Sequence, residues 1–119
     1  MAEIAERILQ GASAGYEVKD FLHEFQVAGS PRMFETAPVK LENRVSDGLR
    51  LDAFLQALAV YLAAKIDVDP PSWTRPAIQL QDPWFASPGR AIRNYLLMSS
   101  PAPFRSRNLF IDADSLEVV

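Results

Sequence analysis

Cysteine is absent from this chain of 119 residues, histidine occurs once and glycine only five times. The first absence excludes disulfides, thiolate metal sites and cysteine nucleophiles. A single histidine, His23, removes two-histidine metalloprotease motifs and leaves little for a histidine-based triad. The scattered glycines follow no strand-like run, so no phosphate-cradling loop is present. Long apolar runs are missing too: no segment approaches the ~20 residues needed to span a bilayer. The start, "MAEIAERILQ", is acidic where a secretion signal would be basic. Together with the missing cysteines, this predicts a cytoplasmic protein of bacterial type without membrane contact.

What is present suits a folded domain. The chain is 49% hydrophobic and 23% charged, and its length predicts one domain over 1–119. Folding at this size buries roughly 65% of the unfolded surface, enough for a core without disulfides. The net charge of −3 conceals a division along the chain. Residues 1–69 hold seven Lys/Arg and eleven Asp/Glu, and residues 70–110 hold five arginines against Asp82 alone. The last nine residues add Asp112, Asp114 and Glu117. A basic middle in an acidic chain meets either the acidic part of its own fold, an acidic protein partner or a polyanion.

Periodicity predicts four helices. "AEIAERILQGA" sets Ile4, Ile8 and Leu9 on one face, giving a short helix over 3–11. "YEVKDFLHEFQV" places Val18, Phe21, Leu22 and Phe25 at i, i+3, i+4 and i+7, with Glu17, Lys19, Asp20, His23 and Glu24 opposite, for a helix over 15–28. The longest lies at 47–67, with a stripe of Leu51, Phe54, Leu55, Leu58, Tyr61, Leu62 and Ile66 and Asp47 as N-cap. About twenty helical residues span ~30 Å, so this helix should form the spine. A fourth helix is expected over 88–99.

Between them run two connectors. The first, near 29–46, lacks periodicity, and its length implies short turns or a function. The second carries Pro70, Pro71, Pro76, Pro83 and Pro88 around Trp73 and Trp84. Proline excludes a long helix or central strand there. The expectation is an all-α or nearly all-α bundle, its proline-rich loops packed over the central helix through Trp73, Trp84 and Phe85.

Few residues suggest chemistry. Asp20, His23 and Glu24 share a helical face and could offer ligands to a metal, but no second helix supplies a matching set. The ending "PAPFRSRNLFIDADSLEVV" is the most site-like stretch. Asp114 and Glu117 match a capping box, and Asp112 and Asp114 would then serve a turn and a short terminal helix. In the alternative, "LFI" is a strand, with Leu116 and Val118 returning beside it. Arg105 and Arg107 straddle Ser106 and could form a fork for a carboxylate or phosphate, or pair with the chain's own aspartates. Trp73 and Trp84 serve as core plugs or line a ligand or partner groove.

The series "DFLHEF", "RLDAFLQALAVYLA", "PPSW", "DPWF" and "SPAPFRSRNLFIDADSL" resembles an uncharacterised family of bacterial proteins. Its members are small stand-alone chains or regions that follow helix-turn-helix domains in regulators, often beside predicted nucleotidyltransferase or toxin–antitoxin-like genes. The likeness spans residues 18–118. It implies that the "RSRN" and "DADS" positions are family hallmarks, and it supplies no catalytic residue.

The preferred reading is a non-enzymatic protein-interaction module, an antitoxin-like or regulatory subunit, with no cofactor and with room for self-association. Trp73, Trp84, Arg105, Arg107, Asp112 and Asp114 are its candidate contact residues. The rivals are a nucleic-acid accessory using Arg90, Arg93, Arg105 and Arg107, and a small metal-binding or enzymatic bundle around Asp20, His23 and Glu24.

Overall fold

The helices α1 (Ala2–Leu9), α2 (Ala14–Ala28), α3 (Gly48–Lys65), α4 (Arg90–Ser99) and α5 (Ala102–Arg105) follow one another along the chain. This computed structural model describes residues 1–87 and 89–117. Pro88, where the fourth helix was expected to begin, and Val118, offered as a strand residue, lie outside them. Short 3-10 turns stand at Pro31–Phe34, Ser72–Thr74 and Ala113–Leu116. Among the described residues the fold is thus all-α apart from one parallel pair of two-residue strands, β1 (Trp84–Phe85) and β2 (Leu109–Phe110). A radius of gyration of 13.6 Å is close to the ~13.5 Å expected of a compact body of this length.

Helix α3 is the spine, but it is buried around most of its circumference. Ala53, Leu55, Ala57, Leu58, Ala59, Leu62 and Ala63 are all buried, while Leu51, Phe54 and Tyr61 of the expected stripe are half-buried. The alanines explain the difference. Their small side chains let α5 and the Ser72–Thr74 turn approach closely, so faces without large apolar residues are covered as well.

Local chemistry sets the element ends. Ser13 accepts from the Tyr16 N–H to open α2, and Gly29 closes it at φ +56°, donating to the Phe25 carbonyl at 2.7 Å. Asp47 occupies the N-cap position of α3 in a left-handed conformation, but its carboxylate makes no cap bond. It pairs instead with Arg50 at 3.2 Å. Asp52 performs the anchoring that Asp47 does not: its two oxygens accept from the Leu41 and Glu42 N–H groups at 2.8 and 3.0 Å. The backbone is drawn so close that a Cβ on Gly48 would lie 1.9 Å from the Leu41 carbonyl oxygen.

The first connector is ordered by plugs. Phe34 and Leu41 are fully buried, and the Phe34 ring meets Phe25 at 5.9 Å. Trp73 donates its indole N–H to the Phe34 carbonyl at 2.9 Å, locking one connector to the other. Phe85 does not lie across α3 in the manner expected. Its ring stacks on Phe110 at 5.0 Å, within the strand pair.

Candidate functional site

The C-terminal stretch resolves both of the alternatives posed for it. Leu109–Phe110 is a strand, and its partner among the described residues is Trp84–Phe85 in parallel register, while Leu116 ends a turn and does not return beside it. Ala113–Leu116 then forms a single 3-10 turn. Its cap is Asp112, whose Oδ1 accepts from the Asp114 N–H at 3.0 Å. The cap therefore stands at Asp112, two residues before the expected Asp114, and Glu117 follows the turn as its C-cap instead of closing a capping box. Glu117 reaches across to α3, where it pairs with Lys65 and accepts from the Tyr61 hydroxyl at 3.3 Å. That hydrogen bond to Lys65 lowers the Glu117 pKa and raises that of Lys65, while burial raises that of the Tyr61 phenol.

Arg105 and Arg107 form no fork. Arg105 is exposed at the end of α5, whereas Arg107 is only 4% exposed. The Arg107 guanidinium donates to Gln56 Oε1 at 3.1 Å, to the Pro103 carbonyl at 2.9 Å and to the Thr74 carbonyl at 3.1 Å. Its partners are neutral oxygens, not the aspartates considered from sequence. Burial pushes its pKa down, yet a guanidinium remains charged at any ordinary pH. Gln56 completes the arrangement by accepting from the Ile78 N–H at 2.9 Å and donating to the Pro76 carbonyl at 3.3 Å. Sequence reading missed Gln56, since a lone polar residue on an apolar helix looks like surface.

Trp84 is half-buried and lines a cleft of about 420 Å³ between α2, the first turns of α3 and the segment 111–116. The Arg50 guanidinium stands 4.6 Å above its ring. Trp73 borders a separate, smaller depression with Lys40, Asp52 and Gln56. The indoles therefore share no groove.

On the other side of α2, Asp20, Glu17 and Glu24 border a polar cleft with Arg7 and Arg32. Glu17 was expected on the solvated face but is buried, and it pairs with Arg7 at 3.2 Å. His23 is exposed and does not border that cleft. Among the described residues, no three His, Cys, Asp or Glu side chains are placed to hold a metal ion. No helix among them is long and apolar enough to cross a membrane.

The most prominent uncovered surface is α4. Leu96 is its only buried residue among those described, whereas Ile92, Tyr95, Leu97 and Met98 are exposed by 45, 51, 45 and 84%. Ala91, Tyr95 and Met98 stand at i, i+4 and i+7 and so form one stripe. Arg90 and Arg93 accompany it, and the helix has no acidic residue. No protein-family model, curated protein or solved structure matches this chain.

Proposed function

We propose that the protein is a non-enzymatic interaction module that docks a protein partner on α4. The observation that carries this reading is the ratio of exposed to buried apolar side chains on that helix. A ten-residue helix that buries only Leu96 gains little from its own fold. Side chains the size of Tyr95 and Met98, adjacent to one another and exposed, are typical of interface cores.

The partner's chemistry follows from the charges. Arg90 and Arg93 flank the stripe without a carboxylate on the same helix, which favours an amphipathic partner segment with an apolar stripe and an acidic rim. The resemblance to stand-alone chains and to regions that follow helix-turn-helix domains, often beside toxin–antitoxin-like genes, is consistent with a regulatory or antitoxin-like subunit. The nucleic-acid reading is weaker, because Arg107, one of its four arginines, is committed to the interior.

A photo-crosslinking residue at position 98, with position 23 on α2 as control, tests the proposal in the native host. A partner captured from position 98 only, lost on Tyr95→Asp and diminished when salt is raised before irradiation, supports it. Capture that survives Tyr95→Asp, or a chain that crosslinks to nothing at native abundance, ends it.

A further inference from the structure

We propose that the cleft beside Trp84 binds a small amphipathic anion, an apolar chain bearing one carboxylate-type head, at a site separate from the α4 surface. Its walls are Val18 and Leu22 of α2, Leu51 and Phe54 of α3, Trp84 and Ile111. A concave, mainly apolar space of about 420 Å³ lies within the ~300–1,000 Å³ usual for small-molecule sites. A partner's flat helix surface would leave such a hollow unfilled, whereas a flexible aliphatic chain fills it.

Charge selects the head group. Among the described residues, Lys19 and Arg50 are the charged ones bordering the cleft, and no carboxylate lines it. Arg50 is held in place: its guanidinium lies over the Trp84 ring, and Nη2 donates to Asp47 at 3.2 Å. That uses one of the five N–H donors of an arginine, and the others remain to receive an oxyanion. Asp47 offsets part of the positive charge, so the site matches a single negative charge better than a multiply charged phosphate. A cationic or zwitterionic head would face Lys19 and Arg50 at close range.

The test uses the full chain and three probes of equal tail length, decanoate, decanol and decyltrimethylammonium, each below its micellar concentration. Calorimetry and tryptophan fluorescence report binding. Decanoate is expected to saturate at one per chain, at least about tenfold tighter than the cation, with decanol between. The fluorescence response should vanish in Trp84→Phe, because Trp73 does not border this cleft.

Gly15→Leu offers a blocking variant. A Cβ there meets only Ser13 Oγ at 4.0 Å, so the helix tolerates it while the added side chain occupies the mouth. It should weaken decanoate and decanol alike. Lys19→Gln with Arg50→Gln should weaken decanoate alone. Met98→Asp should change neither, which separates this proposal from docking on α4. Absence of decanoate binding, equal binding of the cation, or decanoate binding unaffected by Gly15→Leu in a normally helical protein would overturn it.

Discussion

Arg107 donates from Nε to Oε1 of Gln56, a residue 51 positions earlier, at 3.1 Å in the protein interior. Through this contact the spine helix, the proline-rich connector and the C-terminal segment are joined at one polar point. Arg107→Ala should cost about 3 kcal/mol, since it leaves the Thr74 carbonyl without its donor and removes one of the two donors to the Pro103 carbonyl. Arg107→Lys should not rescue the loss, because one ammonium cannot serve three divergent acceptors. Urea denaturation of Arg107→Ala, Gln56→Ala and the double variant should reveal a coupling of about 1–3 kcal/mol. Additive effects would contradict a shared clasp.

Close approach of chain segments at the start of α3 makes a second, counterintuitive prediction. Alanine is favoured over glycine in helices by about 1 kcal/mol, yet Gly48→Ala should destabilise. The new methyl would enter the Leu41 carbonyl, and the net loss should exceed about 2 kcal/mol. Asp52→Asn should lose about 1.5–3 kcal/mol by weakening its bonds to the Leu41 and Glu42 N–H groups. Thermal melts of the two variants check both effects.

The contact of Lys65 with Glu117 makes stability depend on pH at both ends. Glu117 titrates lower in the folded protein than in the unfolded chain. Its contribution is therefore present above its unfolded pKa, roughly 4.3, and lost as pH falls through the lower folded value. Lys65 titrates higher when folded. Its contribution is complete below roughly pH 10.4 and is lost as pH rises through the raised value. The difference in melting temperature between the native chain and Glu117→Gln should be widest between those limits and shrink outside them. A difference independent of pH would exclude this contact as the cause.

Capping distinguishes the neighbouring aspartates. Asp112→Ala removes the acceptor that holds the Asp114 N–H and should cost about 1 kcal/mol. Asp114→Ala removes an exposed carboxylate and should change stability by less than about 0.5 kcal/mol. Chemical denaturation of each variant would reverse this assignment if Asp114→Ala proved the costlier.

On α4, stability and docking should separate. Leu96→Ala empties a buried position and should cost about 2–5 kcal/mol. Met98→Ser, at a side chain 84% exposed, should stay within about 0.5 kcal/mol while weakening partner capture. Loss of stability in Met98→Ser would mean that this residue packs within the fold.

Much of the helical framework is legible in the residue pattern alone. The periodicities of α2 and α3, the short first helix and the proline breaks each depend on neighbours within a few residues, and the observed elements differ from those expected by a few residues at their ends. Capping was less legible. Asp47 and Asp114 have the right residue type in the right place, but the backbone at Asp47 turns left-handed and the terminal turn begins at Asp112. Both outcomes depend on where the adjoining segments are held.

The amino-acid order by itself determined a helical chain without thiols. Tertiary structure alone decided which polar residues went inside and which apolar residues stayed out. Arg105 and Arg107 are equivalent in composition and two positions apart, yet only Arg107 meets the oxygens of Gln56, Pro103 and Thr74. On α4, Leu96 is buried, yet Ile92 and Tyr95 are about half exposed and Met98 is 84% exposed. The reason is physical: burial is set by what lies opposite a side chain, and those neighbours come from distant parts of the chain.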